Sequence, residues 1–177
     1  IEVPRGLRKE QAGFRRLQEC PAQAATLYEI ALRRRQVDQV TFAAFIDLRK
    51  AFDMVPHRCL LHVLSSRGIN GACLNFISTL YSHAGFKYSV CASTSTGTFP
   101  LHRGVKQGDT LSPVLFDLFI DSALDGIRGV TVPNLRDPHA DEDPRIPGLL
   151  FADDTVILAE SEAELQDSLN TFGDWCD

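Results

Sequence analysis

The stretch LLFADDTVILAE, Leu149–Glu160, sets two adjacent carboxylates, Asp153 and Asp154, between two apolar runs that read as the strands of a buried hairpin. Two unit charges about 4 Å apart at an effective dielectric near 20 repel by roughly 4 kcal/mol, and burying either one unpaired costs more. A solvated turn is the bland reading, since Asp is common in turns. The flanks GLLF and TVILA weigh against it because they imply that the turn rims a core. A second apolar run, VTFAAFIDL at Val40–Leu48, is rich in β-branched and aromatic residues and reads as a strand covered on both faces, with Asp47 near its C-terminal end. Three carboxylates delivered by adjacent strand ends can hold two divalent cations about 3.5–4 Å apart, the arrangement used for in-line phosphoryl or nucleotidyl transfer.

Helical patterns surround these runs. CPAQAATLYEIALRRR, Cys20–Arg35, has Pro21 for its first turn, three arginines for its last, and Ala24, Leu27, Tyr28, Ala31 and Leu32 as its apolar face. The triplet Arg33–Arg35 reads as a solvated helix end or as a contact to a phosphate backbone. Helices are expected over about Pro56–Arg67, closed by Gly68, and about Gly71–Ser82, capped by Asn70. KYSVCAS and GTFPLHRG are expected to pair as a hairpin across TSTG. SPVLFDLFIDSALDGI opens with Ser112 as cap and carries the stripe Phe116, Phe119, Ile120, Ala123, Leu124 and Ile127. Residues 130–148, with four prolines and a run of acids, read as a surface loop. Ser161 and Glu164 form a capping box for a last helix whose apolar face is Leu165, Leu169, Phe172 and Cys176.

Composition narrows the class. At 177 residues, 44% hydrophobic and 23% charged, the chain is long enough to bury a core. No run reaches the roughly 18 apolar residues of a membrane span, and IEVPRGLRKEQ lacks the apolar segment of a signal peptide. An intracellular location, nuclear or cytoplasmic, and no membrane partner are expected. Cys20, Cys59, Cys73, Cys91 and Cys176 show no metal-ligand spacing and are expected to be reduced, packed thiols. Residues 1–60 hold 11 basic against 7 acidic residues, while the remainder holds 7 against 16. The net charge of −5 weighs against a self-sufficient nucleic-acid binder. A start at Ile1 and a stop inside a helical pattern suggest a piece of a longer polypeptide.

Three stretches in order, FAAFIDLRKAFDMVPH, LHRGVKQGDTLSPVLFDLFID and LLFADDTVILAES, resemble the successive palm motifs of reverse transcriptases. The wording of AFDMVPH and RGVKQGD is most similar to the non-LTR, LINE-type retrotransposon branch, and EQAGFR at Glu10–Arg15 resembles that branch's upstream element. The resemblance implies an α+β fold: a palm-like antiparallel sheet backed by helices, with partial fingers and no thumb. It implies one reverse transcriptase domain over 1–177, with the Pro-rich acidic loop 130–148 inside it. Asp47, Asp153 and Asp154 match the metal-binding catalytic aspartates, for two Mg²⁺ ions that Mn²⁺ can replace. Leu48, Phe52, Gln107 and Gly108 match nucleotide-binding positions, Phe52 as the ring that excludes a ribose 2′-OH; without the resemblance, Phe52 reads as well as a core ring at a strand-to-helix junction and QGD as a turn before a helix. Arg103 and Lys106 beside that motif read as contacts to template or primer phosphate or, equally, as plain surface charge. The implied activity is RNA-directed DNA polymerisation with an RNA template, a DNA primer and dNTP, completed by fingers, thumb and endonuclease portions of a parent polypeptide.

Departures accompany the match. Thr110 stands where that branch usually has Pro, and RLQECPAQ lacks its usual Gly-Arg-Ser wording after GFR. His57 reads as a helix-start contact, since no Ser or Cys partner argues for a nucleophile, and Asp53 reads as a helix cap. A rival function is a non-catalytic remnant that keeps the fold as a nucleic-acid or protein scaffold; intact Asp47, Asp153, Asp154 and Gln107 weigh against it. A receiver-like phosphate acceptor is disfavoured, because its acidic pair should follow the first strand.

Overall fold

A computed structural model describes residues 6–86, 89–91, 94–95, 99–106, 108–134 and 143–176, with the backbone alone for the described residues from 86 to 95. In chain order the elements are α1 (Cys20–Gln36), β1 (Phe42–Ile46), α2 (Ala51–Met54), α3 (His57–Ser66), α4 (Gly71–Ser82), β2 (Gly85–Phe86), β3 (Ser89–Cys91), β4 (Thr94–Ser95), β5 (Phe99–Pro100), α5 (Ser112–Ile120) with a 3-10 turn at Asp121–Leu124, β6 (Val130–Thr131), β7 (Arg145–Ile146), β8 (Gly148–Phe151), β9 (Asp154–Ala159) and α6 (Glu162–Cys176). Among the described residues no helix is long and apolar enough to cross a membrane. The described residues divide into two compact units, Gly6 with Lys50–Phe119 and Leu7–Arg49 with 120–176.

The second unit holds the main sheet, antiparallel in the order β1-β9-β8. The expected hairpin is β8 and β9, with Leu149 opposite Val156 and Phe151 opposite Asp154. Strand β9 lies between the other two, and Thr155–Ala159 are buried on both faces. On one face Leu149, Val156 and Leu158 pack with Ile30 of α1 and with Val130 and Val132. On the other, α6 lies against β9 and β1, with Phe172 buried.

Three expectations fail here for packing reasons. Strand β1 is not covered on both faces: Ala43 is exposed and Phe45 is 77% exposed, because α1 packs over β8 and β9 and stops short of this edge strand. Helix α1 buries a different face from the one expected, with Ile30 and Arg34 inside, Leu27 and Gln23 half-buried, and Tyr28 70% exposed. Positions 23, 27, 30 and 34 follow helical spacing, so polar Gln23 and Arg34 point inward because backbone carbonyls await them there. The stretch from Val130 to Gly148 is not all loop: β6 pairs with β7, Val130 opposite Ile146, and the Val132 N–H donates to Pro144 O at 2.9 Å. Residues 135–142 lie outside the described residues.

Helix α6 begins as its sequence signals. The Glu164 N–H donates to Ser161 Oγ at 3.2 Å, while the Glu164 carboxylate accepts the N–H of Glu160, one residue earlier than in a standard capping box. Ser168 and Phe172 are buried and Leu165 and Leu169 half-buried, but Cys176 is exposed. Cys20, Cys59 and Cys73 are exposed as well, so these four are not packed thiols; they occupy outer helix faces. The Cys91 side chain lies outside the described residues.

In the first unit α3 and α4 pack through Leu60, Leu64, Ile77 and Tyr81, pairs four residues apart on each helix. Asn70 holds the N-cap position of α4 but makes no capping bond; its Oδ1 accepts from Ser65 Oγ. The expected hairpin is nested: β2 pairs with β5 and β3 with β4, so Thr94 and Ser95 belong to a ladder and not to the connection. Helix α5 starts from an Asx turn, Asp109 Oδ1 accepting the Leu111 N–H at 3.0 Å, and Ser112 is buried inside the first turn instead of capping it.

Candidate metal and nucleotide site

The β8–β9 turn is two residues long, Ala152 and Asp153. Ala152 has φ +55, a left-handed conformation that costs an L-residue about 1–2 kcal/mol, while Asp153 does not. Asp154 opens β9. On the other side of β9, Ile46 pairs with Thr155, so the next rung places Asp47 beside Asp154 at the same end of the sheet. Asp47 and Asp154 are exposed and Asp153 is half-buried, which leaves their repulsion largely screened by water. Leu48, half-buried, follows directly.

The sheet therefore gathers the three predicted aspartates at one rim. Their side chains do not close into a coordination shell: among the described residues no three His, Cys, Asp or Glu side chains form a cluster that would hold a metal ion. The donor chemistry nonetheless suits Mg²⁺, which takes hard oxygens and is usually held by one or two carboxylates plus water and substrate phosphate. Two carboxylates from neighbouring strands fit that demand.

The opposite end of the sheet is tied down by Arg34, only 2% exposed. Its guanidinium donates to Thr41 Oγ1 at 2.9 Å, Val40 O at 2.9 Å, Thr131 O at 2.5 Å and Glu160 Oε1 at 3.1 Å. Glu160 also accepts the Thr131 N–H and pairs with Arg145. The Thr131 N–H, above all, holds the Glu160 carboxyl below its usual range; burial opposes this and Arg145 and Arg34 add to it. Of the Arg33–Arg35 triplet, Arg33 pairs with Glu29 on its own helix and Arg35 is exposed at the helix end, so the backbone-contact reading loses its central residue.

In the first unit Phe52 is half-buried in α2 and stacks on Phe116, ring centroids 4.3 Å apart and 15° from parallel. The segment carrying Arg103 and Lys106 is bonded along α2 and its exit: the Gly104 N–H donates to Val55 O and the Val105 N–H to Phe52 O, each at 2.8 Å. Gly104 has φ +95, and a Cβ there would lie 3.0 Å from Asp53 O, so glycine is required. His57 opens α3, its ring against Tyr81 and its Nε2 2.9 Å from Gly104 O. Asp53 caps no helix; it lies inside α2, whose N-cap is Lys50. Arg103, Lys106 and Gly108 are exposed, Gly108 at φ +82, and Gln107 lies outside the described residues.

Sequence reasoning assigned no role to Gln11, which is wholly buried beside the β8–β9 turn. The available signal was its place in EQAGFR, the stretch that resembles the family's upstream element, but what Gln11 does there is visible only once Leu150 and Ala152 lie next to it.

Comparisons with known proteins bear on the family and the fold. The family model described as "Reverse transcriptase (RNA-dependent DNA polymerase)" matches residues 3–177. The chain is 29% identical over 175 residues to a "Retrovirus-related Pol polyprotein from type-1 retrotransposable element R2" of Popillia japonica, covering 99% of this chain and 24% of that protein. It is 26% identical over 181 residues to the "RNA-directed DNA polymerase from mobile element jockey" of Drosophila funebris, covering 98% of this chain and 18% of the relative. In fold it is similar to an apo telomerase from Candida tropicalis truncated from its C-terminal domain, with TM-score 0.66 and 11% identity over 92% of this chain and 32% of that one. The telomerase likeness bears out the α+β, palm-like fold, and the R2 and jockey relatives bear out the non-LTR branch. By its motifs, its sheet and its match along almost the whole length, the chain belongs to the reverse transcriptase (RNA-dependent DNA polymerase) family.

Proposed function

We propose that this chain is the palm part of an RNA-directed DNA polymerase, in which Asp47, Asp153 and Asp154 hold two divalent cations, Mg²⁺ or Mn²⁺. Its partners are an RNA template, a DNA primer and dNTP. The observation that carries this reading is the register of β1 on β9, which brings carboxylates of two strands to one water-accessible rim. Such cations, when bound, neutralise charge on the primer oxygen and the triphosphate. The chain's own work is positional. The buried length of β9 keeps the rim from shifting, and the hairpin turn sets where Asp153 and Asp154 leave the backbone. Phe52, stacked on Phe116, supports sugar selection by overlap, because a ring held in place has no hydrogen bond to offer a hydroxyl. Exposed Arg103, Lys106 and Gly108 suit contacts to phosphate and nucleotide, the role we also assign to Leu48 and Gln107.

The test is a chimera in which this chain replaces the matching segment of the Popillia japonica R2 polyprotein, assayed for extension of oligo(dT) on poly(rA). Asp153→Asn should lower kcat by at least about a thousandfold, roughly 4 kcal/mol of barrier. In the 177-residue chain, Mn²⁺ should raise the melting temperature. Asp153→Asn should remove the gain, because it deletes a ligand, and should leave the metal-free value nearly unchanged, because water already screens the repulsion it relieves. Equal extension by the unsubstituted chimera and its Asp153→Asn variant would refute the assignment.

A further inference from the structure

Gln11 lies in a loop outside every helix and strand, yet it is 0% exposed. Its Oε1 is shared by two donors, the Gly13 N–H at 2.7 Å and the Ala152 N–H at 3.3 Å. Ala152 is the turn residue with φ +55, immediately before Asp153. The same loop is laced to β8: the Ala12 N–H donates to Leu150 O and the Leu150 N–H to Glu10 O, both at 2.9 Å. Gln23 Nε2 reaches in from α1 and donates to the carbonyls of Glu10 and Leu150 at 2.8 and 3.0 Å. Gly13 completes the approach, because a Cβ at that position would overlap the Ala152 backbone nitrogen.

We propose that Glu10–Gly13 is a strap on the catalytic hairpin, with Gln11 as a positioning residue that holds Ala152 left-handed and so fixes the direction of Asp153 and Asp154. An alanine in this conformation relaxes to negative φ unless its surroundings over-determine it. The buried carbonyl of Gln11 does so by giving the Ala152 N–H an acceptor that water cannot replace there. Relaxation of residue 152 would rotate the peptide that follows it, and both aspartates lie within two residues of that peptide. Ligands held through such outer contacts typically lose about 10–100-fold in metal affinity when the outer contact is removed.

The inference rests on the reading of the aspartates as metal ligands, but the strap can be read without metal. Gln11→Met keeps length and apolar bulk and removes the acceptor. Gln11→Glu keeps an acceptor oxygen, and it forfeits no hydrogen bond at the other atom, since Gln11 Nε2 has no partner among the described residues. Amide hydrogen exchange of the metal-free 177-residue chain is followed by NMR, and Mn²⁺ affinity is titrated by EPR. In Gln11→Met the Ala152 amide should exchange at least about tenfold faster while those of Val156, Ile157 and Leu158 stay protected, and Mn²⁺ should bind about 10–100-fold more weakly. Gln11→Glu should restore protection of the Ala152 amide. The proposal is overturned if Gln11→Met leaves Ala152 exchange unchanged, if exchange rises equally along β9, or if Gln11→Glu fails to restore it. It is also overturned if Ala152 is freed and Mn²⁺ affinity does not change. A parent chain that binds no Mn²⁺ while its Ala152 amide responds as expected refutes the metal reading and leaves the strap's hold on the turn standing.

Discussion

Replacing Arg34 with Met should cost far more stability than replacing either neighbour in the RRR triplet, although nothing in the sequence separates the three. The side chain is buried and donates to three groups other than Glu160: Val40 O, Thr41 Oγ1 and Thr131 O. An acceptor cut off from water and left unpaired costs about 1–3 kcal/mol and breaking a buried ion pair about 3–5 kcal/mol, and the lower part of each range applies here because Val40 is exposed and Glu160 is a third exposed. The two costs overlap, and Glu160 keeps the Thr131 N–H and Arg145, so the total expected is about 3–5 kcal/mol. That is a large part of the roughly 5–15 kcal/mol that stabilises a typical domain. Arg33→Met removes an exposed pair with Glu29 and should cost about 0.5 kcal/mol or less, and Arg35→Met should be close to neutral. Arg34→Lys should recover less than half of the loss, because one ammonium cannot reach acceptors spread around a planar fork. Urea unfolding of the four variants, at unchanged m, measures these differences. An Arg34→Met protein within about 1 kcal/mol of Arg35→Met would refute the claim that this network anchors the sheet.

Because the Glu160 carboxyl is held below its usual range, its contribution to stability is present above the unfolded value of 4.5 and is lost as pH falls through the lower folded value. Glu160→Gln should therefore flatten that part of the acid limb, read from urea midpoints between about pH 3 and 7. Gly104→Ala forces a Cβ to 3.0 Å from Asp53 O at φ +95 and should cost about 2–3 kcal/mol; Gly108→Ala, at φ +82 with open space, should cost about 1 kcal/mol. Equal costs at the two glycines would show that backbone strain alone operates. Phe52→Ala removes the ring stacked on Phe116 and should cost about 1–3 kcal/mol. In the R2 chimera it should also lower the ratio of kcat/KM for dTTP over UTP, and an unchanged ratio would leave Phe52 a packing residue only.

Several features were legible in the sequence because their causes are local. The β8–β9 hairpin follows from two apolar runs around a short polar turn, and α6 starts where Ser161 can accept the Glu164 N–H. Gly68, at φ +86, follows α3 as expected, since the chain needs a left-handed residue there whatever surrounds it. Asp47, Asp153 and Asp154 stand out in the sequence by their place beside apolar runs, and the strands that carry them to one rim, β1, β8 and β9, were legible with them. What the sequence left open was decided by partners distant along the chain. Helix α1 offers a more apolar face at Ala24, Leu27, Tyr28, Ala31 and Leu32, yet the one with Gln23 and Arg34 turns inward because Leu150 O and Thr131 O, 127 and 97 residues away, accept their hydrogen bonds. Strand β1 exposes Phe45 because the covering helix ends short of it, which no property of FAAFI encodes. The ends of the Pro-rich stretch become strands only because Val130 finds Ile146 and a place in the core. Gln11 stands out in the sequence only as part of EQAGFR, and its task appears once the fold sets it beside Ala152, 141 residues on, where its carbonyl is the acceptor for the amide just before the aspartates.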